Sequence, residues 1–158
     1  MRGVLVRVAM LMAALGVLVS AADPPRLVVL IVVDQMRADY VDRFRTDWTA
    51  GLKRLVERGA WFTGAAYPYL STYTCAGHAT IGTGALPYRH GVFQNTFFDR
   101  VRNQMGRCTD DPVAKRIPYG KEGSQTHGPA QLGVPTLGDE MRKGGSRVVA
   151  LALKARSA

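Results

Sequence analysis

Leu27-Val28-Val29-Leu30-Ile31-Val32-Val33 is a continuous apolar, mostly β-branched run that ends in Asp34 and follows Pro24-Pro25. No polar residue alternates within it. That is the pattern of a strand buried on both faces, as in a parallel sheet. Such a sheet needs helices over both faces, and the chain that follows should supply them.

The downstream pattern fits that need. Residues 49–58 carry Leu52, Leu55 and Val56 at helical spacing and stop at Gly59. Residues 61–66 read as a second strand, closed by Pro68. Residues 71–84, rich in Thr, Gly and Ala, read as a turn and then a short helix beginning near Thr74. Residues 87–91 are a turn, 97–102 a short strand and 103–133 a loop. Residues 135–143 read as a helix stopped by Gly144-Gly145, and 147–153 as another buried strand running into Lys154-Ala155-Arg156. The order predicts an α/β fold with a mostly parallel sheet between helices. Ligands in such folds sit at the carboxyl ends of the strands.

Upstream, residues 1–22 read as a secretory signal. Arg2 and Arg7 give the positive start, residues 8–19 an apolar run short for a membrane span, and Ser20-Ala21-Ala22 the small residues before a cleavage point. The other reading is an uncleaved anchor. Cleavage predicts a periplasmic or secreted protein over residues 23–158, with no stable membrane insertion afterwards. The 158 residues are 47% apolar, which suits one globular domain. The formal net charge is +9; without Arg2 and Arg7, 19 basic residues face 12 acidic ones. These basic residues are scattered, and no Lys/Arg run alternates with aromatics, so a nucleic-acid partner is not expected. Cys75 and Cys108 allow one intramolecular disulfide, which an oxidising compartment permits; paired and free forms stay open.

Five residues stand where chemistry could occur. Asp34 follows the first strand directly, where a carboxylate can hold a cation; taken alone it is better read as a helix N-cap. Thr74 begins a helix, where free backbone N–H groups and the dipole suit a phosphate; alone it too reads as a cap. Its hydroxyl needs a base or a metal to become a nucleophile. The Asn95 amide can donate to a phosphoryl oxygen, or simply hold a turn. Lys154 and Arg156, two apart at the end of a strand, would project to one face and converge on a dianion, unless they are only a charged exit into solvent. His78 falls on the Thr74 helix face, four residues on. It and His90 belong to no HExxH-type arrangement and read as structural.

Together these pieces resemble the alkaline phosphatase superfamily, in the branch of bacterial monoesterases with a threonine nucleophile that neighbours the type I phosphodiesterase/nucleotide pyrophosphatases. The matching residues are Val32-Val33-Asp34, Thr74 with Gly77-His78-Ala79-Thr80-Ile81, Thr83-Gly84, Pro87 with His90-Gly91, then Asn95 and Lys154-x-Arg156. The resemblance implies the N-terminal part of an alkaline-phosphatase-like sandwich and a site with two zinc ions (Zn2+). In it Asp34 and the Thr74 oxygen are ligands of one zinc, Thr74 is the nucleophile that becomes a phosphothreonine, and Asn95, Lys154 and Arg156 bind the phosphoryl oxygens. Lys-x-Arg is absent from the diesterase branch, so the resemblance implies small phosphate monoesters as substrates. A phosphodiesterase/nucleotide pyrophosphatase and an exported, non-catalytic α/β binding module are the alternatives. A sulfatase would need Cys-x-Pro-x-Arg, whereas Cys75 is followed by Ala76-Gly77-His78-Ala79. The family's remaining zinc ligands, several Asp and His residues, lie downstream of Lys-x-Arg, and this chain stops at Ala158. The expectation is therefore a fragment of the enzyme, without strong zinc binding or turnover of its own.

Overall fold

The computed structural model describes residues 23, 25–115 and 126–157. The chain divides into two compact units, Met1–Val32 and Val33–Ala158. The stretch 1–22, predicted as a secretory signal, lies outside the described residues. What is described of the first unit is chiefly the apolar run. It forms no helix or strand, and its side chains stand out, with Leu27 78% and Ile31 72% exposed.

The same holds for two other runs whose composition predicts strands. Residues 61–66 and 147–153 carry no ladder pairing among the described residues, and Leu151 is 92% exposed. The physical reason is one of partners. A β-branched run specifies a buried strand only where neighbours take up its N–H and C=O groups and cover its faces. The described residues bring no such neighbour to any of the three runs.

In the second unit the helices predicted at 49–58, near Thr74 and at 135–143 follow their sequence signals, while the single turn at Tyr40–Arg43 is not among those predicted. The single-turn helix α1 (Tyr40–Arg43) continues into an edge-to-face aromatic row, Tyr40–Phe44–Trp48, with ring centroids 5.3 and 6.5 Å apart. Trp48 Nε1 ties that row back by donating to the Val41 carbonyl at 2.9 Å. Helix α2 (Ala50–Arg58) ends at Gly59, as its spacing predicts. Helix α3 (Thr74–Thr83) ends at Gly84, whose φ of 66° is the left-handed cap that glycine adopts without strain. The predicted turn at 87–91 tightens into α4 (Pro87–His90), with Pro87 at its first position and Gly91 closing it at φ 82°.

The sheet among the described residues is an antiparallel hairpin. β1 (Thr96–Asp99) pairs with β2 (Gln104–Arg107) in the register Thr96–Arg107 through Asp99–Gln104. Asp99 Oδ1 accepts the Val101 and Arg102 N–H groups to make its turn, with Asn103 at φ 53°. β2 falls in the stretch whose glycines read as loop. Gly106 is what permits it, because a Cβ there would press against the Phe97 ring at 3.3 Å.

Helix α5 (Leu137–Lys143) starts on a capping box. Thr136 Oγ1 accepts the Asp139 N–H at 3.1 Å, and Asp139 Oδ2 accepts the Thr136 N–H at 2.8 Å. A 3-10 turn (Ala155–Ser157) follows the bend at Lys154 and packs against α3. The core centres on Cys75, Val92 and Cys108, with Ala79 and Leu132 against them. One disulfide, Cys75–Cys108, runs through it and settles the choice left open by composition.

Candidate functional site

Thr74 is the first residue of α3, and its neighbour Cys75 is anchored by two of the three links that join Cys75, Asn95 and Cys108. The first-turn N–H groups of a helix have no partner within the helix. The Cys75 N–H finds one outside, the Asn95 side-chain carbonyl, at 3.0 Å. The Asn95 main-chain carbonyl in turn accepts the Cys108 N–H at 3.1 Å. The third link is the disulfide from Cys75 to Cys108. Because a backbone N–H must meet an oxygen, the Asn95 amide orientation is fixed, with its NH2 arm turned away from Cys75.

Asp34 reaches the same place from the far end of the second unit. Lys154 Nζ donates to Asp34 Oδ2 across 120 residues of chain. That ammonium holds the Asp34 carboxyl below the usual carboxylate range, against the opposing effect of partial burial. The charge of the Lys154 and His78 side chains and the Thr74 hydroxyl lower it further. Asp34 is therefore ionised beside Lys154 and within electrostatic reach of His78 and the Thr74 hydroxyl. Gln35, directly after Asp34, is held at φ 62°, a left-handed conformation that a non-glycine residue reaches only at a cost.

His78 is more than a neighbour on the helix face. Its Nδ1–H donates to the Thr74 carbonyl at 2.8 Å, leaving Nε2 as the other arm of the ring. Sequence spacing put it on the Thr74 face; its nearness to Asp34 needed the fold. His90 has different partners. It is fully buried, accepts the Val92 N–H on Nδ1 at 3.1 Å, and so donates from Nε2 to Thr80 Oγ1 at 3.1 Å. Tyr69 completes that chain by donating to Thr80 Oγ1 at 2.8 Å. His127 meets the Thr109 hydroxyl at 2.9 Å.

Arg156 lies elsewhere than a strand would put it. The chain bends at Lys154, with the Ser157 N–H donating to the Lys154 carbonyl at 3.0 Å. A 3-10 turn carries three residues per revolution, so positions 154 and 156 do not share a face as they would on a strand. Lys154 meets Asp34, while Arg156 sits exposed on the turn that packs on α3.

Two features of the site escape sequence reasoning. One is the Lys154–Asp34 pair, which links the ends of two predicted strands and has no local signal. The other is the junction of Cys75, Asn95 and Cys108; the cysteine pair was its available signal, and Asn95, named from its amide, gave no sign that it links them.

The chain matches the model of the family described as type I phosphodiesterase / nucleotide pyrophosphatase over residues 28–153. It is 38% identical over 143 residues to alkaline phosphatase PhoK of a Sphingomonas species, covering 87% of this chain and 25% of that protein. It is 32% identical over 142 residues to alkaline phosphatase PafA of Elizabethkingia meningoseptica, covering 87% of this chain and 26% of that protein. It also resembles the crystal structure of wild-type PafA with a TM-score of 0.79 and 33% identity, over 87% of this chain and 27% of that one. The chain thus spans about a quarter of the length of these relatives, and its fold is the corresponding part of an α/β alkaline-phosphatase-like architecture.

Proposed function

Because the chain belongs to the type I phosphodiesterase / nucleotide pyrophosphatase family, we propose that it is the N-terminal part of an exported enzyme that hydrolyses small phosphate monoesters through Thr74. One observation carries the reading. The Thr74 hydroxyl opens a ten-residue helix beside an ionised Asp34 and the Lys154 ammonium, with the Asn95 amide fixed to the next residue.

The chemistry follows from these positions. The helix end and Lys154 draw the substrate's phosphoryl group to Thr74. Thr74 Oγ attacks phosphorus in line with the ester oxygen; the P–O bond to that oxygen breaks, and the proton lost from Thr74 passes through solvent to the departing alcohol. The Asn95 NH2 donates to an equatorial oxygen as charge builds there, and Lys154 neutralises another; the exposed Arg156 side chain is assigned to the remaining oxygen by the family resemblance alone. Water then cleaves the phosphothreonine, releases phosphate and restores the Thr74 hydroxyl.

The reading includes two zinc ions in the longer protein, which would lower the pKa of the attacking hydroxyl and stabilise the leaving oxygen. Asp34 and Thr74 Oγ offer two oxygen donors, fewer than the four ligands tetrahedral zinc takes. No group of three or more His, Cys, Asp or Glu gathers among the described residues. The residues present therefore do not fit a complete zinc site, and the steps above run through side chains of this chain alone. Export, a periplasmic or secreted location, cleavage of residues 1–22 and the absence of a nucleic-acid partner belong to the same proposal.

The family description names diesterases, whereas the relatives above are named alkaline phosphatases. The resemblance in Lys154-x-Arg156 favours monoesters, because a monoester offers two charged oxygens to a cation pair where a diester has one charge and a second substituent. The test is Lys154→Ala with Arg156→Ala in the complete enzyme, assayed on p-nitrophenyl phosphate and bis-p-nitrophenyl phosphate. Monoester turnover should fall much further than diester turnover. Equal losses would remove the case for monoesters.

A further inference from the structure

We propose that the Cys75–Cys108 disulfide is a positioning element for Asn95, one that fixes the side-chain amide against the Thr74 end of α3; this rests on reading Thr74 as the nucleophile.

The three residues form a closed ring. Its links are one covalent bond, Cys75 to Cys108, and two hydrogen bonds that both end on Asn95. Its side-chain oxygen takes the Cys75 N–H at 3.0 Å, and its main-chain oxygen takes the Cys108 N–H at 3.1 Å. Asn95 thus belongs to both halves of what the disulfide joins, the start of α3 and the strand β2 that ends at Arg107.

The need for a tether is physical. Asn95 sits one residue before β1, in a hairpin of two four-residue strands. A lone two-stranded hairpin is marginal in water. Left to its hydrogen bonds, Asn95 would drift relative to α3, and a donor displaced by an ångström loses most of its effect on a reacting group. The bonds of the ring are sheltered. Cys75 is 5% and Cys108 7% exposed, packed with Val92 against Ala79 and Leu132. Cys75 is also joined to Thr74 by one peptide bond, so whatever fixes the Cys75 N–H fixes the neighbouring hydroxyl.

A disulfide that only stapled the fold would act on all the surrounding hydrogen bonds alike. A positioning disulfide acts first on the two that end at Asn95. Amide hydrogen exchange in the 158-residue chain separates the two roles. Reduction with dithiothreitol gives the S–S bond two electrons and two protons, leaving two thiols and the reagent as its cyclic disulfide. On reduction the Cys75 and Cys108 amides should exchange at least about tenfold faster, while the Gly84 and Glu140 amides keep their protection. No change at Cys75, or equal acceleration at all four amides, would overturn the proposal.

The complete enzyme supplies a second arm. Asn95→Ala should lower kcat by about 10²–10³-fold with the disulfide in place, the usual cost of one transition-state donor. In the Cys75→Ser, Cys108→Ser background the same change should cost less than about tenfold, because the donor is already out of place. An equal cost in both backgrounds would contradict the positioning role. Failure of the phosphatase reading shows differently, as an oxidised enzyme whose turnover does not depend on Thr74; the exchange experiment still decides the tether in that event.

Discussion

The Lys154 ammonium lies on the Asp34 carboxylate, closing a gap of 120 residues and bringing the two ends of the described second unit together near Thr74. In the ligand-free chain this pair gives Asp34 the cation that an exposed carboxylate would lack. Under the proposed function, a phosphate arriving at Thr74 would compete with Asp34 for Lys154.

The first consequence concerns Asp34 itself. Lys154 is the largest cause of its lowered pKa. Lys154→Met should therefore raise the Asp34 titration midpoint, followed by carboxyl NMR on the 158-residue chain. Arg156→Met, a change on the neighbouring turn, should move it much less. An Asp34 midpoint indifferent to Lys154 would mean that the pair is not formed in solution.

Acid should weaken the fold through His90. The ring is fully buried, and burial pushes its pKa below the ordinary histidine value. An unfolded histidine takes up its proton near pH 6.5, the folded one only at lower pH. Between those points the unfolded state binds more protons, so stability is complete above about pH 6.5 and falls as the pH drops toward the folded value. Protonation would also break the Val92 N–H bond to Nδ1. Urea midpoints should decline across that window, and more shallowly in His90→Gln. A decline of the same slope in the variant would place the effect elsewhere.

Gly128 offers a packing test. A Cβ at this position would collide with the Asp111 side chain, whose Oδ1 caps the Val113 and Ala114 N–H groups at 3.0 and 3.1 Å. Gly128→Ala should cost about 1–3 kcal/mol, the range for overpacking and for unsatisfied buried groups. Gly51, in a helix with open space around it, should instead gain up to about 1 kcal/mol as alanine. Chemical denaturation of both variants makes the comparison, and a neutral Gly128→Ala would refute the contact.

The sequence made the helices legible because their signals are local. Thr74 to Gly84 shows this best: a turn before, small residues within and a glycine after mark both ends, and α3 follows them. The capping box at Thr136 and Asp139 works the same way at α5. The three apolar runs at 27–33, 61–66 and 147–153 were legible only as composition, since a strand is completed by partners that none of the described residues supply. Gly106 was misleading for the opposite reason. Glycine there suggested a loop, yet it is the absence of a side chain that lets Phe97 pack across the hairpin. At the site, Thr74, Asn95 and Asp34 could be named from residue type and order. Their mutual placement could not, because it depends on a long-range ion pair and a disulfide ring.

Thr74 is proposed as the group that carries the phosphoryl during turnover. The direct measurement is acid quenching of the complete enzyme during turnover of a monoester, followed by peptide mass spectrometry. The predicted result is one phosphoryl group on Thr74, absent in Thr74→Ala together with turnover. A phosphoryl group on another residue, or a Thr74→Ala enzyme that turns over as the parent does, would contradict it.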